Sequence, residues 1–155
     1  MRTRRLLLAL ATLLFVTCRT QGHSPDADLT AVDLRCEHLE NPTGIGEVAP
    51  RLSWGLRSAE RGATQSAYRV MVGSTVESLL RGQPDLWDTG RVESAETQAV
   101  VYGGAALRPS MKCYWKVRAW DGQGRAGPWS ETGHWELGLL SRADWTGEWM
   151  NAGPN

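Results

Sequence analysis

Leu107-Arg108-Pro109-Ser110-Met111-Lys112-Cys113-Tyr114-Trp115-Lys116-Val117-Arg118-Ala119-Trp120-Asp121 is the stretch that decides the fold. Cys113, Trp115, Val117 and Ala119 alternate with Tyr114, Lys116, Arg118 and Trp120. A period of two makes a strand with one apolar face and one mixed face, the pattern of a sheet that meets a core on one side. Leu107 to Met111 reads as a corner feeding that strand. Gly122 to Pro128 reads as the turn that ends it.

The same pattern recurs outward in both directions. Val32, Leu34 and Cys36 alternate in a first strand, with Leu39 continuing nearby. Asn41 to Pro50 holds two prolines and two glycines and reads as a long connection. Leu52, Trp54 and Leu56 alternate, and so do Tyr68, Val70 and Val72. Thr75 to Gly82 predicts a short helical turn with Val76, Leu79 and Leu80 on one side. Leu86 to Val92 predicts an edge strand carrying Trp87, and Gln98 to Tyr102 another short strand. Trp135 and Leu137 close the series. About seven short strands with no long helix predict an all-β, immunoglobulin/fibronectin type III-like β-sandwich over residues 29–140.

Eight Trp stand against one Phe. Trp54, Trp115 and Trp135 fall on apolar faces and are expected in the core. Trp87, Trp120 and Trp129 are the candidate glycan-contacting aromatics, because aromatics exposed on a sandwich stack on sugar rings. A core or interface role is the default for the same residues.

The amino terminus reads differently. Arg2, Arg4 and Arg5 precede an apolar run from Leu6 to Val16, too short to anchor in a bilayer, so residues 1–22 predict a secretory signal peptide, followed by a linker over 23–28. Two exits follow: cleavage between Thr17 and His23, or lipid modification at Cys18 after a loose lipobox. The expected location is exported: periplasmic, extracellular or an outer-membrane lipoprotein of a bacterium, with the membrane reached only through such a lipid. Four of the 17 basic residues leave with this segment and no acid does, so 13 basic face 17 acidic residues, a net charge of −4. That balance, with basic residues dispersed along the sequence, argues against a nucleic-acid partner. Of the cysteines, Cys36 and Cys113 remain after the leader. Export permits a disulfide between them, and two buried thiols is the other reading.

Gly122-Gln123-Gly124-Arg125-Ala126-Gly127 matches a dinucleotide-binding glycine pattern, but Pro128-Trp129-Ser130 follows where a helix would have to begin. Proline in Asn41-Pro42-Thr43 excludes a glycosylation site. His23, His38 and His134 lack ligand spacing, no Cys/His cluster suggests zinc, and no nucleophile motif is present, so no cofactor is expected. The scattered carboxylates read as solvated surface rather than as a glycosidase pair.

The corner and strand at Leu107–Asp121 resemble the penultimate strand of fibronectin type III domains, where a tyrosine usually holds the place of Cys113. Tyr114 is one step along and faces the other way. Seven segments in order resemble the N-terminal region of bacterial α-L-rhamnosidases of glycoside hydrolase family 78. They begin with Leu34-Arg35-Cys36-Glu37-His38-Leu39-Glu40-Asn41-Pro42-Thr43-Gly44-Ile45, Pro50-Arg51-Leu52-Ser53-Trp54 and Gln65-Ser66-Ala67-Tyr68-Arg69-Val70. Asp85-Leu86-Trp87-Asp88-Thr89-Gly90, Tyr114-Trp115-Lys116-Val117-Arg118-Ala119-Trp120-Asp121 and Trp129-Ser130-Glu131 follow, and Asp144-Trp145-x-x-x-Trp149 closes the set. The resemblance implies a non-catalytic module of an inverting enzyme that hydrolyses terminal α-L-rhamnose, with the catalytic acids on a downstream (α/α)₆ barrel and the later domains of the same enzyme as partners. It implies that residues 141–155 open a second β domain. A stand-alone secreted carbohydrate-binding or adhesion module is the rival expectation.

Overall fold

The computed structural model describes residues 28–145. The leader with Cys18, nearly all of the linker, and residues 146–155 of the expected second domain lie outside the described residues. Eight strands follow in order: β1 Thr30–Cys36, β2 Arg51–Arg57, β3 Gln65–Gly73, β4 Trp87–Asp88, β5 Val100–Val101, β6 Lys112–Asp121, β7 Ala126–Trp129 and β8 Gly133–Glu136. One short helix, α1 (Val76–Leu80), sits between β3 and β4, and a 3₁₀ turn spans Arg142–Asp144. A three-stranded sheet runs β1-β2-β5, and a five-stranded sheet runs β4-β3-β6-β7 with β8 also paired to β6. Every one of these pairings is antiparallel. The protein is an all-β sandwich of the immunoglobulin/fibronectin type III kind.

β6 organises the second sheet. β3 pairs along nearly its whole length on one side. On the other side β8 covers its first half and β7 its second. Cys113, Trp115, Val117 and Ala119 face inward and are buried, as the alternation predicts. Cys113, Trp115 and Val117 meet Leu52 and Trp54 from β2, Val70 and Val72 from β3, and Trp135 and Leu137 in one cluster, while Ala119 packs with Leu29 in a second. Trp54, Trp115 and Trp135 are all fully buried core.

Three expectations need correction. In β1 the buried residues are Ala31 and Cys36, with Val32 off the core face. Asp33 takes φ +51 and the register jumps between Val32 and Arg35, so a bulge hands the inward face from odd to even positions. In α1, Thr75 caps the first turn through its side chain and Leu79 is buried, but Leu80 is 75 % exposed because the helix has only one turn and a half to lay on the sheet. The turn after β6 is tighter than Gly122 to Pro128. It closes at Arg125, with Gly124 at φ +75, and β7 already begins at Ala126. No helix follows those glycines. Gly127 instead lets β7 close on the residue that precedes β1: a Cβ there would overlap the carbonyl oxygen of Leu29.

Tyr114 points outward, as expected. Another tyrosine secures the approach to β6. Tyr102 is buried, and its hydroxyl donates to the Ala105 carbonyl at 2.7 Å, pinning the loop that leads to the Leu107 corner.

Candidate functional site

The outward half of β6 carries Lys112, Tyr114, Lys116, Arg118 and Trp120. Register then brings in partners from both sides: Arg69 of β3 and Trp129 of β7 each lie directly opposite Arg118. Basic residues dispersed in the sequence thus gather on one face of the five-stranded sheet.

The geometry is a ladder of cations and rings. The Lys116 ammonium lies 4.7 Å from the Trp129 ring centroid, and the Arg118 and Arg69 guanidiniums lie at 5.8 and 5.9 Å. Arg91 and Arg118 stand 5.2 and 5.9 Å from the Trp120 centroid. Lys112 lies 5.6 Å from the Tyr114 centroid. Both indoles are half-buried, and cations over their faces attract the ring quadrupoles.

Hydrogen bonds fix the cations further. Arg69 donates from Nε and Nη2 to Asp88 at 2.8 and 2.6 Å. Lys116 Nζ donates to the Leu79 carbonyl at 2.8 Å, and Arg118 Nε to the Gly127 carbonyl at 2.7 Å. Among the described residues neither Lys116 nor Arg118 has an ion-pair partner. Burial, with the neighbouring Arg69 second, holds the Lys116 ammonium below its ordinary pKa.

Trp129 also forms a wall of a groove of about 330 Å³ between the bulged edge of β1 and the β7–β8 junction. Its charged lining is Asp33, Glu40 and Glu131 with a single cation, Arg57. Trp87 stands apart from this face. It packs edge-on against Tyr102 at 5.3 Å, on the margin of the core. The structure therefore brings Trp120 and Trp129 together through Arg118 and leaves Trp87 elsewhere.

The cysteines form no part of this face. Cys36 and Cys113 sit in the core cluster on opposite sheets, both as free thiols. Burial above all pushes each up to about 12.

The carboxylates that depart from ordinary behaviour are all held low. A side-chain hydrogen bond from Arg51 lowers Glu37, and one from Arg69 lowers Asp88. Burial works to raise Asp85 and Asp121, but Ser74 outweighs it at Asp85 and Arg125 with the Gln123 N–H outweighs it at Asp121. A general acid for glycoside hydrolysis needs the opposite shift.

The family model for the Rha78A-like, N-terminal immunoglobulin domain matches residues 31–141. The chain belongs to the Rha78A-like N-terminal immunoglobulin domain family. Curated relatives of this Rha78A-like domain carry the same segments within much longer chains. An α-L-rhamnosidase of Streptomyces avermitilis is 40% identical over 116 residues, 75% of this chain and 11% of that protein. One of Alteromonas sp. strain LOR is 39% identical over 117 residues, 75% of this chain and 13% of that protein. The crystal structure of the Streptomyces avermitilis α-L-rhamnosidase complexed with L-rhamnose matches this Rha78A-like domain with a TM-score of 0.75 at 39% identity, covering 80% of this chain and 12% of that one. The α-L-rhamnosidase from Dictyoglumus thermophilum matches with a TM-score of 0.72 at 38% identity, covering 75% and 13%. This chain therefore spans between 11% and 14% of the length of the curated relatives that it matches.

Proposed function

We infer that this module is the non-catalytic N-terminal β-sandwich of an exported α-L-rhamnosidase that removes terminal α-L-rhamnose from glycans or glycosides. The observation that carries this reading is the family match over residues 31–141, with the relatives extending far beyond it. The carboxylates support a non-catalytic role, since Glu37, Asp85, Asp88 and Asp121 are each committed to a local partner and held anionic. The module's partners in this reading are the other domains of the same enzyme. The leader exports it, either by cleavage before His23 or with a lipid on Cys18.

An aryl α-L-rhamnoside tests the enzymatic part. The complete product of the gene should release rhamnose, and the 155-residue chain should release none. Release by the short chain would sink the non-catalytic role, and inactivity of the complete product would sink the rhamnosidase reading. Intact mass of the exported protein decides between the two exits from the leader.

A further inference from the structure

We propose that the outer face of β6 binds an acidic saccharide, a uronate-bearing glycan whose carboxylates pair with Lys116 and Arg118 between Trp120 and Trp129. Three cations, Arg69, Lys116 and Arg118, converge within 6 Å of the centroid of Trp129. Only one carboxylate, Asp88, pairs with them among the described residues. Arg69 lies directly across from Arg118 on the neighbouring strand. Like charges placed opposite each other oppose sheet pairing, and an anion seated over them offsets the repulsion.

The donors for such an anion are present and aimed by other contacts. Among the described residues Arg118 commits its Nε alone, to Gly127, which leaves both terminal nitrogens of the guanidinium fork. Lys116 commits one of its three N–H donors, to Leu79. A planar fork beside an ammonium suits a carboxylate, which accepts two parallel N–H bonds. The rings hold the cations in place beforehand, so less side-chain freedom is lost on binding.

The surroundings define the ligand. With cations over the indole faces, recognition runs through the charged N–H donors and the ring edges, which favours a charged sugar over a neutral one. The groove that Trp129 also lines carries Asp33, Glu40 and Glu131 against one cation, Arg57, so its negative balance disfavours an anion there. The choice of a saccharide over an acidic peptide rests on the module's place in a glycan-hydrolysing enzyme.

Affinity electrophoresis of the 155-residue chain tests this, with polygalacturonate, its fully methyl-esterified form and poly-L-glutamate as the immobilised polymers. Polygalacturonate should retard the chain, the methyl ester should not, and added salt should abolish the retardation. Arg118→Gln and Lys116→Met should each weaken retention by about tenfold or more, the effect of losing one charge-assisted hydrogen bond. Arg51→Gln, on β2 of the other sheet and outside the groove that Trp129 lines, should leave retention unchanged. Equal retardation by the methyl ester overturns the proposal, as does equal retention of the Arg118 variant. Poly-L-glutamate binding as tight as polygalacturonate would replace the saccharide with an acidic protein surface. The comparison of acid and methyl ester uses the unaltered chain, so it decides even if a variant fails to fold. Absence of retention together with rhamnose release by the complete gene product sinks this proposal alone.

Discussion

The indole N–H of Trp54 donates to the side-chain oxygen of Gln65 at 3.0 Å, and both residues are buried. This bond ties the three-stranded sheet to β3 of the other sheet. The amide nitrogen of Gln65 goes on to the carbonyls of Ser94 and Glu96, so one side chain fixes a core tryptophan and a connecting loop together. Gln65→Met keeps the volume but leaves the Trp54 N–H buried without a partner. We expect a loss of about 1–3 kcal/mol, read from urea unfolding. Trp54→Ala removes the ring itself and should cost about 3–5 kcal/mol. A Gln65→Met protein as stable as the parent would show that water or a shifted loop replaces the amide.

Tyr102→Phe isolates a second link. The hydroxyl donates to the Ala105 carbonyl while the ring packs edge-on against Trp87 and Trp135. Removing only the oxygen should cost about 1 kcal/mol and leave the ring contacts intact. The loop over 103–107 should then exchange its amide hydrogens faster, while β6 stays protected. Uniform loss of protection would mean that Tyr102 acts on the whole sandwich rather than on this loop.

The alternation from Cys113 to Ala119 was legible because a one-sided strand writes its burial into every second residue. Trp135 and Leu137 were legible for the same reason. The handover from Ala31 to Cys36 was not, because it depends on Asp33 taking a positive φ, and a short polar side chain in a strand does not announce that. Tyr102 was invisible as a corner residue because its partner, Ala105, is a backbone carbonyl with no side-chain signature. The cation–aromatic face was half legible. Lys116, Arg118 and Trp120 share a face by period two within β6. Arg69 and Trp129 join them only through the register of β3 and β7, which no local pattern encodes.

His134 gives the fold a pH dependence in the weakly acidic range. Burial, and then the nearby Lys112, hold its pKa below the ordinary 6.5, with Glu136 opposing. A base with a depressed folded pKa binds its proton more readily when unfolded, so stability is full above 6.5 and falls as the pH drops towards the lower folded value. The melting temperature should therefore decline between about pH 7 and pH 5, and His134→Gln should flatten that decline. Asp88 adds a separate loss at lower pH. Its folded value lies below the ordinary 3.8, so its contribution is present above that value and disappears as the pH falls through the folded one. A His134→Gln protein with the parent's full slope between neutrality and pH 5 would place the titrating group elsewhere.

Cys36 and Cys113 should be silent towards thiol reagents while the sandwich is folded. Thiolate is the reactive species, and burial pushes both thiols up to about 12. At pH 8 that leaves roughly one thiolate in ten thousand at each site, behind a core that also excludes the reagent. Reaction therefore waits for unfolding, and its rate should follow the population of the open state as denaturant rises. A chain that begins at His23 lacks Cys18, so the count after full unfolding reports the core pair alone. Two reactive thiols are expected in guanidinium without any reductant. None in guanidinium alone, and two once a reductant is added, would mean that export had closed a bridge between β1 and β6. Loss of that bridge should then lower the melting temperature. Two thiols throughout, with no effect of reductant on melting, leave the junction of the sheets to packing around Trp115 and Trp135.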